Sequence, residues 1–478
     1  MNDICSSRLT RFALVCGLSL ASINLFAQSP NRVPVGAPLP VQGLSVPGPV
    51  QLSLPSHTLS ALSGAQPSAK GGLQLGQNYD GIDFLGSNCQ CLPPDTNAAV
   101  GNNFVVETVN IQVRVFDKAT GLLLLNEPLS ALFGAPTGGD PYVLYDDIAD
   151  RWYLTAFDSS YAGLFLAVSF DGNPLDGFRT YDLTNVGGFP DYQKPGFNKD
   201  AIFVSYNDFG SGDGAATIAV VDKAAAMSGT LNYTVAHPEF QFRAMPPAQM
   251  HGDHQGGVEW FVSTDGTETG GNTLRVTKMT NYLSGSPQFT YTSLPVMQYQ
   301  SATRADQPGG SVTTFPNTTT TQVEYHKGRL VTAMASGTAT DGFLYPKGLY
   351  FQIDVNGNGA SKPRLMQAGV IDPGPGVAVQ MPSVEEDKQG NLGLTWIQSS
   401  NSEYVSMWVG NVYTNGNFSS QVAAPGGGFM YVSFRLGDYS TIVLDPSDGK
   451  TFWSANEYVG ADGRTDIWKT HIASFTAR

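Results

Sequence analysis

The sequence has 478 residues, a formal net charge of −14 and only 14% charged residues, with 54 Gly and 30 Pro. An acidic chain of this kind repels phosphate backbones and anionic bilayers, which excludes nucleic acid and membrane surfaces as general partners. Its Gly, Ser, Thr and aromatic content suits strands and turns rather than helices.

At the N-terminus, Arg8 and Arg11 precede the apolar run from Phe12 to Ala27, which Gln-Ser-Pro follows at once. This reads as a secretory signal cleaved near Ala27, and residues 1–27 are assigned to it. The run is shorter than the roughly 20 apolar residues of a membrane span, so the expected product is a soluble protein exported to the periplasm or beyond. Cys16 lies inside the run rather than at its end, which speaks against a lipoprotein signal. Residues 28–76, rich in Pro, Gly, Ser and Ala, read as a flexible leader, and 77–478 as the folded domain.

Cleavage leaves Cys89 and Cys91 as the cysteines of the mature chain. Extended backbone holds residues two apart with α-carbons about 6 to 7 Å apart, so a bridge needs a local kink. A disulfide and two free thiols both stay open, and two thiols without a companion motif make no zinc site.

From Leu73 onward, strand-like runs separated by turn signals fall into recurring units. One runs from Asp95 through Asn103-Phe-Val-Val-Glu-Thr-Val-Asn and Gln112-Val-Arg-Val-Phe-Asp; the next from Asp140-Pro-Tyr-Val-Leu-Tyr-Asp through Arg151-Trp-Tyr-Leu-Thr-Ala-Phe. Others begin at Asp191 and near Asp253, continue through Gln322-Val-Glu-Tyr and Ser383-Val-Glu-Glu-Asp, and end with Gly437-Asp-Tyr-Ser. Units of roughly 45 to 70 residues match blades of four short antiparallel strands, and the expected fold is an all-β β-propeller of about seven blades. A pair of sandwiches explains the alternation but not the recurring unit. Val221–Met227 is the longest helical candidate, short enough for a loop insertion. The six tryptophans, Trp152, Trp260, Trp396, Trp408, Trp453 and Trp468, sit in strand runs and are expected to pack blade against blade.

Several segments resemble a group of uncharacterised secreted bacterial β-propeller proteins: Pro93-Pro-Asp-Thr-Asn-Ala-Ala-Val-Gly, Asp140-Pro-Tyr-Val-Leu-Tyr-Asp with Asp150-Arg-Trp-Tyr, Pro190-Asp-Tyr-Gln-Lys-Pro, and Gly437-Asp-Tyr-Ser with Asp445-Pro-Ser-Asp-Gly. The resemblance implies propeller fold and export, and no catalytic residues. A more distant similarity is to sialidase-like propellers, through Ser169-Phe-Asp-Gly, Ser263-Thr-Asp-Gly and Ser447-Asp-Gly-Lys-Thr-Phe-Trp, all off the family spacing.

An acidic residue recurs where units start: Asp95, Asp140, Asp191, Asp253 and Asp438. If inner strands line a channel, these converge on one face, and Asp95, Asp140, Asp253 and Asp438 are candidate Ca2+ ligands; the alternative is turn capping. Around them stand His251, His254, Tyr192, Tyr439 and Arg435 as candidate catalytic groups, and Asp191, Lys194, Tyr145 and Arg151 as candidate binding groups. Lyases need a Tyr or His base beside a uronate, and glycoside hydrolases need two spaced carboxyls. His251-Gly-Asp-His254 has the spacing for two metal ligands but no defined third. Asp354-Val-Asn-Gly-Asn-Gly359 copies half a calcium loop, with Leu365 where Glu is needed, and reads as a hairpin turn. No nucleophile elbow, phosphate loop or zinc-protease helix motif is present.

Two function classes follow. The first is a monomer that binds, and if catalytic cleaves as a glycoside hydrolase or polysaccharide lyase, an extracellular polysaccharide or glycoprotein glycan at its channel mouth. The second is a non-catalytic interaction propeller with a structural cation. His, Tyr and Arg gathered in one concave pocket would favour the first.

Overall fold

The computed structural model describes residues 61–63, 72–183, 186, 188–210, 214–239, 243–252, 256–264, 270–314, 318–339, 342–355, 362–427, 436–460 and 468–477, all within the compact unit His57–Arg478. Strand pairing sorts them into antiparallel sets, each stepping outward from an inner strand. The first is β3 (Asn97–Val100), β4 (Phe104–Val109), β5 (Gln112–Asp117) and β6 (Leu123–Pro128), and the second β7 (Thr137–Asp146), β8 (Arg151–Asp158), β9 (Leu164–Ser169) and β10 (Phe178–Leu183). Next come β11 (Pro190–Phe197), β12 (Ala201–Asp208), β13 (Ala215–Asp222) and β14 (Tyr233–Ala236). The short inner strand β15 (Ala248–Met250) stands beside β16 (Val258–Thr264), β17 (Gly270–Thr280) and β18 (Gln288–Gln300), joined through the bridge Pro247–Phe261. A hairpin of β19 (Arg304–Gln307) and β20 (Gly310–Thr313) is inserted before β21 (Val323–His326), β22 (Arg329–Gly337), β23 (Pro346–Asp354) and β24 (Arg364–Asp372). The set β25 (Ala378–Glu386), β26 (Leu392–Ser400), β27 (Glu403–Val412) and β28 (Phe418–Ala424) follows.

The last set crosses the sequence: β29 (Thr441–Leu444), β30 (Thr451–Val459) and β31 (Trp468–Thr476) receive β2 (Gln74–Asp83) as their outer strand. The short β1 (Ala61–Ser63) pairs parallel with β24. So β1 and the first residues of β2 fall in the stretch whose composition reads as leader. Helix α1 (Leu129–Phe133) is short, and α2 (Lys223–Ser228) follows β13 directly, which places Val221 in the strand. Asp222 caps α2 by accepting from Ala225 N, and Gly229 ends it at φ 98°.

Apolar clusters join each set to the next. Val115 packs with Trp152, Leu166 with Phe197, Phe203 with Phe261, and Val276 with Leu349. Tyr350 then shares a cluster with Trp396, Met407 with Phe452, and Trp453 with Val100. The final cluster returns to the first sheet, so the circle closes, and sheets packed face to face around an axis are a β-propeller. The tryptophans do the expected job: Trp152, Trp396 and Trp468 are fully buried.

Side chains stitch the inner strands together around the axis. Thr441 Oγ1 accepts from Ala98 N (2.9 Å), Asn97 Oδ1 from Val143 N (2.7 Å), and Gln193 Nε2 donates to the Asp140 carbonyl. Strands β11, β15 and β21 pair directly and in parallel. Thr321 Oγ1 donates to the Pro382 carbonyl (2.8 Å), and Ser383 and Ser440 share a hydroxyl bond of 2.7 Å.

Candidate functional site at the channel

Register divides the candidate residues between two ends of the channel. Phe197 of β11 is paired with Gln249 of β15, Lys194 precedes the first by three residues, and His251 follows the second by two. At about 3.3 Å per residue these two side chains lie roughly 16 Å apart along the strands. Between them Gln322 reaches past β25 to donate from Nε2 to the Ile442 carbonyl (2.6 Å) and to Glu324 Oε1 (3.1 Å), a brace across the channel.

The first end holds Asp95, Asp140, Asp191, Tyr192, Lys194, Asp438 and Tyr439. Bulges interrupt β7 and β11 there, with Asp140 (φ 48°) and Tyr192 (φ 55°) in the left-handed region, a conformation that costs a non-glycine residue and turns its side chain out of strand alternation. Lys194 Nζ lies 4.0 Å from the Tyr439 ring centre, 4.2 Å from Tyr192 and 5.5 Å from Tyr142, a cage of three aromatic faces. Burial pulls the Lys194 pKa down to about 7 against the attraction of Asp140 and Asp95. Tyr439 donates to Asp140 Oδ2 (2.8 Å), Asn110 donates to Asp95 Oδ2 (2.7 Å), and Tyr192 donates to the Asp438 carbonyl (3.5 Å). Burial, then Asp140 and Asp95, hold the Tyr439 phenol well above its ordinary pKa, so it is no ready base. Of the expected cation ligands, Asp140 and Asp95 thus act on the Lys194 ammonium.

The segment beside this end carries the Cys89–Cys91 disulfide. Asn88 (φ 63°) and Gln90 (φ 52°) are left-handed, and that kink brings the α-carbons to 5.1 Å, which answers the question the spacing leaves open. Pro93 O accepts from Asn110, and Cys91 O accepts from Trp468 Nε1 (2.9 Å), which ties the segment to the first and last sheets.

The second end holds His251, Tyr145 and Arg151 with four residues that the sequence reading passes over. Asp147 Oδ1 lies 3.2 Å from His251 Nδ1, Glu324 Oε2 lies 3.5 Å from His251 Nε2, and His326 Nε2 lies 2.8 Å from Glu385 Oε1. The rings of His251 and His326 stack at 5.8 Å. Burial opposes protonation of His251, yet Asp147 and Glu324 outweigh it and hold its pKa well above the usual imidazole value. Burial and then the charge of Glu385 push Glu324 well above the carboxylate range. Asp147 goes the other way, to about 2, because its bond to His251 overcomes its own burial. One ligand-capable atom from each of His251, Glu324 and Glu385 lies within 4.8 Å of the others, and among the described residues Asp95, Asp140 and Asp438 belong to no such group.

A small pocket lies at this end, lined by Tyr145, Gln249 and His251 together with Ala99, Val100, Val443, Leu444 and Pro446. Tyr145 donates to Asp150 Oδ1 (2.5 Å), and Arg151 donates to the carbonyls of Ala149 and Asp150 within its own turn. His254, Asp253 and Arg435 lie outside the described residues, as do 356–361 of the calcium-like loop. At that loop's flanks Asp354 pairs with Arg364 across a β-hairpin. The turn at Ser447 is held by Asp445 and Asp448, which accept from Ser447 N, Lys450 N and Thr451 N.

No known family profile matches the chain, and no curated protein sequence is similar to it. Solved structures similar to it include a β-propeller domain and a WD40 domain. Extracellular domains 1–2 of Drosophila Semaphorin 1b match at 8% identity and TM-score 0.42, over 85% of this chain and 87% of that one. The β-propeller domain of Cps50 (Swd1) from Myceliophteria thermophila matches at 8% identity and TM-score 0.45, over 85% and 100%. The WD40 domain of SCAP from fission yeast matches at 9% identity and TM-score 0.36, over 86% and 94%.

Proposed function

We propose that this chain is an exported propeller that binds extracellular polysaccharide at the His251 end of its channel, as a binding module rather than a cleaving enzyme. The pocket lining carries the proposal: Tyr145, Gln249 and His251 line it together with apolar Val100, Val443, Leu444 and Pro446. A sugar ring has the matching character, hydroxyls at its rim and an apolar C–H face, and the pocket, whose Tyr145, Gln249 and Val100 are buried, has to open to take one. The candidate acid–base groups support binding over cleavage. Tyr192 and Tyr439 are buried at the far end, where they cannot share a substrate with His251.

The test is retention of the purified protein on a panel of immobilised bacterial, plant and algal polysaccharides, with reducing ends and unsaturated uronate followed in parallel. Retention on one polysaccharide without product, weakened about tenfold by Gln249→Ala, is the expected result; a tenfold loss is the scale of one hydrogen bond. Product release would make the protein an enzyme. A second reading, a platform for protein partners, draws on Leu122, just before the outer strand β6, and on Leu123 and Leu124 within it, which are 63, 43 and 41% exposed. It is the reading that survives if no polysaccharide is retained.

A further inference from the structure

Beneath that pocket, three side chains share an unusual arrangement of satisfied and unsatisfied atoms. Glu385 Oε2 is buried and lacks a hydrogen-bond partner, and His251 Nε2 and Glu324 Oε2 face each other at 3.5 Å, an ion-pair distance without a hydrogen bond. The opposite atom of each group is held: His251 Nδ1 by Asp147, Glu324 Oε1 by Gln322 Nε2 (3.1 Å), and Glu385 Oε1 by His326 Nε2 (2.8 Å) and Glu386 N (2.5 Å). Both glutamate side chains are 0% exposed. Two acidic side chains this close are costly to bury together unless positive charge, from a protonated His251 or from a bound ion, offsets them, and orphaned buried polar atoms cost about 1 to 3 kcal/mol each.

We infer that His251, Glu324 and Glu385 form a site for one divalent first-row transition ion, with zinc the ion that fits. One imidazole nitrogen and two carboxylate oxygens are a zinc donor set, whereas calcium asks for six to eight oxygens. The bond from Asp147 to the far nitrogen of His251 is the outer-shell contact that fixes tautomer and ring orientation in such sites, and His326 does the same for Glu385. Three protein ligands leave at least one coordination position free, and His251 is shared with the pocket wall, so the ion has a route in.

The inference is independent of carbohydrate binding, because it is read on the protein alone. Metal-stripped full-length protein is titrated with Zn2+, and with Ca2+ as comparator, by calorimetry. The expected result is one Zn2+ per chain, bound on the order of 100-fold more weakly by Glu324→Gln and Glu385→Gln and about tenfold more weakly by Asp147→Asn. No uptake by the wild type, uptake unchanged in the glutamine variants, or displacement of Zn2+ by equimolar Ca2+ would each overturn it. Should the variants not fold, the wild type loaded with Cu2+ decides: electron spin echo modulation from an imidazole nitrogen supports the site, and its absence overturns it.

Discussion

At the first end of the channel, Lys194 is the residue whose burial has the clearest consequence for stability. Its unfolded pKa is 10.5 and its folded value about 7. Between these limits the unfolded chain carries a proton that the folded chain has released, so stability rises with pH across the window and is lost as pH falls toward 7. The slope from this one group is about 1.4 kcal/mol per pH unit. His251 acts in the opposite sense, since a folded pKa above its ordinary one makes stability fall as pH rises through that value. The comparison that isolates the lysine is therefore with Lys194→Met, which keeps the stem between Tyr142, Tyr192 and Tyr439 and removes the charge. Urea unfolding at pH 7 and pH 9 should show the wild type gaining roughly 2 to 3 kcal/mol relative to the variant. Parallel pH profiles would mean that the cage does not hold the amine away from its ordinary pKa.

At the scale of strands and sheets, face-to-face packing sets the stability. Trp396 is fully buried, stacks on Trp408 at 6.2 Å and lies in the cluster with Tyr350, so Trp396→Ala should cost about 3 to 5 kcal/mol in urea unfolding. Gly393 makes the opposite case. A methyl there would sit 2.5 to 2.8 Å from the ring of Phe452 on the neighbouring sheet, so Gly393→Ala should cost about 1 to 3 kcal/mol by overpacking. These elements were legible in the sequence because alternation and hairpin turns are local signals. What was not legible depends on pairing between distant strands. The ends of β11 and β15 are told apart only by the match of Phe197 with Gln249, which no local pattern encodes, so Tyr192 and His251 read as neighbours. Glu324 and Glu385 read as ordinary strand residues beside Val323 and Val384. Their signal was the Val-Glu pair recurring in adjacent units, which puts two carboxylates on neighbouring inner strands.

At the scale of the whole molecule, β2 reinforces closure of the ring, and sequence patterning alone assigns this strand in part to the leader. Besides pairing with β31, it reaches the first sheet: Ile82 N donates to Glu107 Oε2 (2.9 Å), and the Thr470 hydroxyl lies between Ile82 O (2.9 Å) and Glu107 Oε1 (2.5 Å), with one proton to share. Glu107 is fully buried on β4, so a strand from one end of the fold and a strand from the other converge on one carboxylate. Gly81 is required at this junction, because a methyl there would collide with the Glu107 carboxylate. Without β2, the outer edge of β31 is bare and Glu107 loses its Ile82 donor, while Val100 and Trp453 still hold the first and last sheets together. Removing residues 1–83 should therefore cost several kcal/mol, at least the loss of one strand's hydrogen bonds and an under-satisfied buried carboxylate. Removing residues 1–72, which spares β2, should cost much less. A peptide of residues 73–84 added in trans should restore the thermal midpoint of the longer deletion, and the same peptide with Gly81→Val should not. Equal midpoints for the two deletions would show that the sheets close through their apolar faces alone.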